Sequence, residues 1–112
     1  MSIETNHELL ALRDILREFA AARGWREYHT PKNLAMALIV EAAELVEHFQ
    51  WATLDQSRIL TPEKAVEVRD EVADVLIYLV EMADVLDIDL IAAARDKIAK
   101  NALKYPVGRK YP

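Results

Sequence analysis

The sequence has no cysteine, two glycines and four prolines in 112 residues, and no apolar run that approaches the roughly 20 residues of a membrane span. Without cysteine there are no disulfides and no thiolate metal ligands. The two glycines, Gly24 and Gly108, are far apart, so a glycine-rich phosphate loop is excluded. A basic excess is also missing. The net charge of −5 argues against a chain that coats nucleic acid through a broad basic face. It leaves a nucleotide substrate open, because a bound divalent cation reverses the field of an acidic site. The opening stretch MSIETNHELLALRD is acidic and amphipathic, unlike a secretory leader, and the expected location is cytoplasmic.

What is present is apolar and helix-forming. The apolar fraction is 53%, much of it Ala, Leu and Val. A chain of this length fits one domain, expected over 1–112 with a core of about 7–105 and a basic tail at 106–112. A core this small hides such a surplus poorly, so a homo-oligomer, dimer or tetramer, is expected.

Four helical segments can be read. Leu9, Leu12, Ile15, Leu16 and Phe19 recur at helical spacing, giving a first helix over about 7–23 that stops at Gly24. Thr30-Pro31 starts a second helix, to about Trp51, with a hydroxyl cap and proline at the first helical position. The connector 52–60 has no strong period. Thr61-Pro62-Glu63 repeats the start signal for a third helix to about Leu86, and a fourth runs from Asp87 or Asp89 to Lys104, ahead of Tyr105-Pro106. The expected fold is an all-α antiparallel four-helix bundle. The second and third helices also carry apolar residues off their main stripes, including Ile39, Val46, Ile77 and Val80, as helices buried on more than one face do.

The acids sit in informative places. Glu41 lies within the apolar stripe of the second helix, and Glu44 shares its edge. No basic residue occurs between Lys32 and Arg58, so a lone carboxylate there faces a desolvation cost of several kcal/mol unless paired or metal-bound. Glu47 points off the stripe and reads as solvated. On the third helix Glu67, Glu71, Asp74 and Tyr78 form one stripe beside the apolar face. Packing the two helices together would unite Glu41, Glu44, Glu71 and Asp74, and like charges share a site only with cations between them. An all-oxygen set suits Mg²⁺, with Mn²⁺ as substitute, and magnesium bridges carboxylates to substrate phosphates. Di-iron chemistry fits less well, because neither of the two acid-bearing helices contains Glu-x-x-His; the one such spacing, Glu4 to His7, lies in the first helix.

The segments VEAAELVEHFQW (40–51), EVRDEVADVLIYLVEMADVLDIDL (67–90) and KIAKNALKYPV (97–107) resemble the MazG-like all-α nucleotide pyrophosphohydrolases. GWREYHTPKNLAMAL (24–38) brings the likeness nearest to their dCTP pyrophosphatase branch. The resemblance implies Mg²⁺-dependent hydrolysis of a nucleoside triphosphate to the monophosphate and pyrophosphate, with dCTP or a modified pyrimidine deoxynucleotide as substrate. It implies that Glu41, Glu44, Glu71 and Asp74 are catalytic metal ligands, that Trp25, Trp51 and Tyr78 line the nucleoside pocket, and that Lys97 and Asn101 contact phosphate or sugar. It also implies dimers or tetramers whose sites draw on more than one subunit. Two positions depart from the pattern: Val40, where the broader family has Glu, and Leu16, where the dCTP branch carries His.

By themselves some of these residues are ordinary. A Trp at a helix end usually packs, and the basic run Lys97, Lys100 and Lys104 also complements a helix dipole. His29 can touch substrate or order its turn, while His7 and His48 read as structural or solvent-facing. The competing expectation is a non-catalytic helical-bundle interaction module that keeps the fold. The four-acid set argues against it, since a scaffold has no use for carboxylates on its core edge.

Overall fold

Short polar side chains set where the helices begin. In the computed structural model, which describes residues 3–108, α1 spans Ile3–Ala22, α2 Pro31–Glu47, α3 Leu54–Arg58, α4 Pro62–Val85 and α5 Leu90–Lys104. A 3-10 turn lies at Arg26–Tyr28. The Thr30 hydroxyl accepts the Asn33 N–H at 3.2 Å, Thr61 accepts that of Lys64 at 3.2 Å, and the Asp89 carboxylate accepts that of Ala92 at 3.1 Å. Each cap satisfies a first-turn donor that no helical carbonyl can reach. No strand occurs among the described residues, so the chain is all-α. No described helix is long and apolar enough to cross a membrane.

Two helices end in the same way. Gly24, at φ +67°, follows α1, and its N–H and that of Trp25 reach back to the carbonyls of Ala21 and Ala20. After α4 the pattern recurs with Asp87 in the left-handed position, at φ +54°, and the N–H of Ile88 bonds to the Ala83 carbonyl at 2.8 Å. Both are Schellman ends, which reverse the chain within two residues. Glycine takes this conformation without strain, whereas Asp carries a Cβ into it.

Boundaries differ from the sequence expectation in three places. The first helix already begins at Ile3. The second ends at Glu47, not Trp51, because the N–H groups of His48 and Phe49 turn to the i−3 carbonyls of Leu45 and Val46 and tighten the last turn. The connector holds α3, capped by a Thr53–Gln56 box in which each side chain accepts the other's backbone N–H at 3.1 and 3.0 Å. Five residues are too few to show a hydrophobic period. Within the basic tail, residues 109–112 lie outside the described residues.

α2 and α4 form the main packed pair and run antiparallel: His48 meets Lys64 and Glu67, while Glu41 lies against Glu71 further along. α1 packs on the C-terminal half of α4, where the Arg17 guanidinium grips the Asp84 carboxylate, with Nε to Oδ2 at 2.8 Å. The buried core is Ala20 of α1, Leu34 of α2, and Val80 and Ala83 of α4. α5 buries no residue, and its Ile98 and Leu103 are 68% and 85% exposed. Three of the four long helices therefore pack together, and the fourth place in the bundle is not filled by α5.

The surface is large for a chain of this mass. The chain exposes 8944 Å², against about 6,300 Å² for a compact monomer of this mass. Its radius of gyration is 17.0 Å, against about 13 Å for a compact chain of this length. Met36, Ile39, Val40 and Val46 of α2 are all more than half exposed, and Ile39 and Val46 border a shallow apolar hollow with Ala42 and Ala43.

The strained α4 end gives a direct test. Asp87→Gly removes the Cβ penalty and should raise stability by roughly 1 kcal/mol in urea denaturation, while the β-branched Asp87→Val should lower it. A lower midpoint for Asp87→Gly would show that the carboxylate makes an interaction that outweighs the strain.

Candidate metal centre and substrate groove

The antiparallel register of α2 and α4 decides which side chains meet. Glu41 and Glu44, one turn apart on α2, face Glu71 on α4, and one carboxylate oxygen from each lies within 4.8 Å of the other two. Oε2 of Glu41 and Oε2 of Glu71 are buried and accept no hydrogen bond. None of these acids forms an ion pair with Lys, Arg or His among the described residues. Burial, then the adjoining Glu71 carboxyl, then Glu44 and Asp74 push the Glu41 carboxyl up to about 7. The Glu71 carboxyl is also raised, by burial first and by Glu44 and Asp74, with its contact to Glu41 opposing. Asp74 stands near enough to act on both through charge but is not one of the three converging oxygens. A converging set of hard oxygen acceptors with no protein cation fits a divalent ion.

The stripe extends in both directions from this cluster. Toward the start of α4, His48 Nδ1 lies 3.2 Å from Lys64 Nζ and 3.7 Å from Glu67 Oε2, so His48 is a packed bridge between helices and not a solvent-facing residue. Toward the end of α4, Tyr78 is half-buried. Its phenol is raised by burial first and then by the charges of Glu41, Glu81 and Asp74. One turn beyond Tyr78, Glu81 borders a cavity with His29, the loop residue ahead of α2.

The other expected substrate residues stand apart from the cluster. Trp25 packs edge-on to Phe19, with ring centroids 5.7 Å apart and the Arg23 guanidinium over the Phe19 ring. Trp51 is 89% exposed and so is not the packed helix-end aromatic of the ordinary reading. Lys97 and Asn101 lie on α5, and no described contact joins either of them to the carboxylates.

A family model described as MazG-like matches residues 36–111, a stretch that contains all four acids. The chain belongs to the MazG-like family. Among its relatives, dCTP pyrophosphatase 1 of Mus musculus is 42% identical over 101 residues, covering 86% of this chain and 59% of that protein. The Homo sapiens dCTP pyrophosphatase 1 is 41% identical over 100 residues, covering 85% and 59%. The chain thus spans about three-fifths of the length of these curated relatives. A crystal structure of a pyrophosphatase from Archaeoglobus fulgidus superimposes with a TM-score of 0.84 at 48% identity, covering 89% of this chain and 94% of that one. The fold is therefore shared over nearly the whole length of both chains.

Two elements of the groove escaped the sequence reading. Glu81 follows Tyr78 by three residues and could have been reached by extending the spacing Glu71, Asp74, Tyr78 by one more step. The Lys64–His48 contact links two helices, and no spacing within either one announces it.

The raised Glu41 carboxyl fixes a pH dependence for the protein without cation. Its native value of about 7 lies above the ordinary 4.5, so its contribution to stability is full below pH 4.5 and is lost as pH rises to about 7. Thermal melts in chelator should show that decline, and Glu41→Gln should flatten it. A wild-type profile that is level across this window would contradict the buried pairing.

Proposed function

We propose that the chain is a divalent-cation-dependent nucleoside triphosphate pyrophosphatase acting on dCTP or a modified pyrimidine deoxynucleotide, in nucleotide pool cleaning. The carrying observation is the convergence of Glu41, Glu44 and Glu71 with buried, unsatisfied oxygens and no protein counter-charge. The printed names of the curated relatives and of the superimposed pyrophosphatase point to the same chemistry. A non-catalytic module gains nothing from three uncompensated acids at a helix interface.

Glu41, Glu44 and Glu71, with Asp74 from the next turn, would hold Mg²⁺, or Mn²⁺ in its place. When bound, the cation neutralises triphosphate oxygens and makes a water acidic enough to attack phosphorus at neutral pH. The chain's own residues position the substrate. Tyr78, beside Glu41 and Asp74, packs against the nucleoside, while Trp51, beyond the opposite end of the cluster, offers its bare face for stacking to the nucleoside of a neighbouring copy. With the nucleoside end adjoining the carboxylates, the α phosphorus is the reacting centre, and the products are the monophosphate and pyrophosphate. One carboxylate of the set takes the proton of the attacking water.

The surplus surface supports an assembled enzyme, a dimer or a tetramer. The exposed α2 face of Ile39 and Val46 and the uncovered α5 are its interfaces. Lys97 and Asn101 then serve phosphates in the groove of a neighbouring copy, together with Trp25 at its rim.

Glu71→Ala and Asp74→Ala should each lower turnover at least ~10²-fold, on the scale of losing a group that stabilises transition-state charge. Glu18→Ala, an exposed acid of α1, is the control. Phosphorus NMR of the products should show pyrophosphate; a dominant orthophosphate signal would mean that a different bond is cut. Light scattering at micromolar concentration should give a dimer or larger, and a monomeric mass would remove the shared-site part of the proposal.

A further inference from the structure

Beyond the three-carboxylate cluster, Glu81 Oε2 is the remaining buried side-chain oxygen without a hydrogen-bond partner among the described residues. It borders a cavity of about 80 Å³ with Leu16 and Ala20 of α1, Arg26 and His29 of the loop, and Val85 of α4. That space exceeds the share of a single water, ~30 Å³, and suits one flat ring better than two fused ones. Burial raises the Glu81 carboxyl, the charge of His29 opposes that rise, and Asp84 adds to it.

The other charged groups around the cavity are already engaged. Asp84 is held by Arg17, and Arg13 by Asp14. Neither the Arg26 guanidinium nor the His29 ring makes a hydrogen bond or ion pair among the described residues, although Arg26 acts on Asp84 and His29 on Glu81 through charge. The cavity thus offers one acceptor, Glu81, and two donors, Arg26 and His29, between apolar walls. Such a set matches a heterocycle that presents a donor beside acceptors. Tyr78 connects it to the metal centre, since its phenol feels the charges of both Glu41 and Glu81.

We propose that this cavity is the base subsite of the groove, and that Glu81 selects bases carrying an exocyclic amino group by accepting its N–H. Cytosine presents an amino donor at N4 next to acceptors at N3 and O2. The amino group faces Glu81, and Arg26 or His29 donates to the acceptors. Uracil and thymine put a carbonyl oxygen where the amino group stands, which sets lone pairs against the Glu81 oxygen. The inference rests on the pyrophosphatase reading and adds to it the residue that reads the base.

The test measures kcat/KM for dCTP and dUTP with Mg²⁺ on the wild type, Glu81→Ala and Glu81→Gln. In parallel, thermal shifts are recorded with non-hydrolysable analogues of the same two nucleotides. The wild type should prefer dCTP. Glu81→Ala should lower the dCTP to dUTP ratio ~10-fold or more, on the scale of one lost base contact. Glu81→Gln should move further toward dUTP, because its amide N–H can donate to O4. Without nucleotide, Glu81→Ala should melt no lower than wild type, since a buried, unsatisfied acid is removed. A wild type that does not discriminate, or an unchanged ratio in Glu81→Ala, overturns the inference and leaves the hydrolase reading standing. If no nucleotide is hydrolysed but analogue binding still depends on Glu81 in this direction, the inference holds and the hydrolase reading fails. Failure of the wild type to bind either analogue overturns both.

Discussion

Everything in this molecule turns on one uncomfortable contact: carboxylates of α2 pressed against a carboxylate of α4 with no positive side chain between them. Packed helices bring apolar faces together for the area they remove from water. Here the same packing carries Glu41, Glu44 and Glu71 into a shared, partly dry space, where ionised oxygens repel each other and lack hydrogen bonds. A fold selected for stability alone would place Lys, Arg or an apolar residue there. The arrangement is consistent with a chain whose resting state is meant to include a bound cation.

The second constraint is incompleteness. A buried core limited to Ala20, Leu34, Val80 and Ala83 is small for three long helices, and most of the large apolar side chains of α2 and α5 are left in water. The groove shares this character. The carboxylates come from α2 and α4, and no described contact brings the cationic helix α5 or the exposed indole of Trp51 to them. The three carboxylates and Glu81 are set by one chain, whereas no described contact brings Lys97 or Asn101 to them.

Much of this was legible in the sequence, and the parts that were not share a physical cause. Helix starts were readable because Thr30-Pro31, Thr61-Pro62 and Asp89 act through contacts within one turn. The facing of Glu41 and Glu44 against Glu71 followed from helical periodicity and the lack of nearby cations. By contrast, α3 is shorter than a hydrophobic period, and the end of α2 depends on tightened turns at His48 and Phe49 with no glycine or proline to announce them. From the sequence His48 reads as structural or solvent-facing because its partners, Lys64 and Glu67, belong to another helix. Glu81 does not stand out in the sequence because its burial depends on α1 and the 26–29 loop packing beside it.

The antiparallel course of α2 and α4 has a bearing on the electrostatics of the groove. Each helix carries a field along its axis, positive at its start and negative at its end. Side by side in opposite directions, the two fields largely cancel at the level of Glu41 and Glu71. They leave their strongest values at the tips, where the start of α4 adds to the charge of Lys64. Midway along, the backbone therefore neither attracts nor repels an ion, and affinity there is set by the side chains alone. Exchange of one carboxylate for a shorter or neutral group can thus retune which cation is held while the helices that carry it stay as they are.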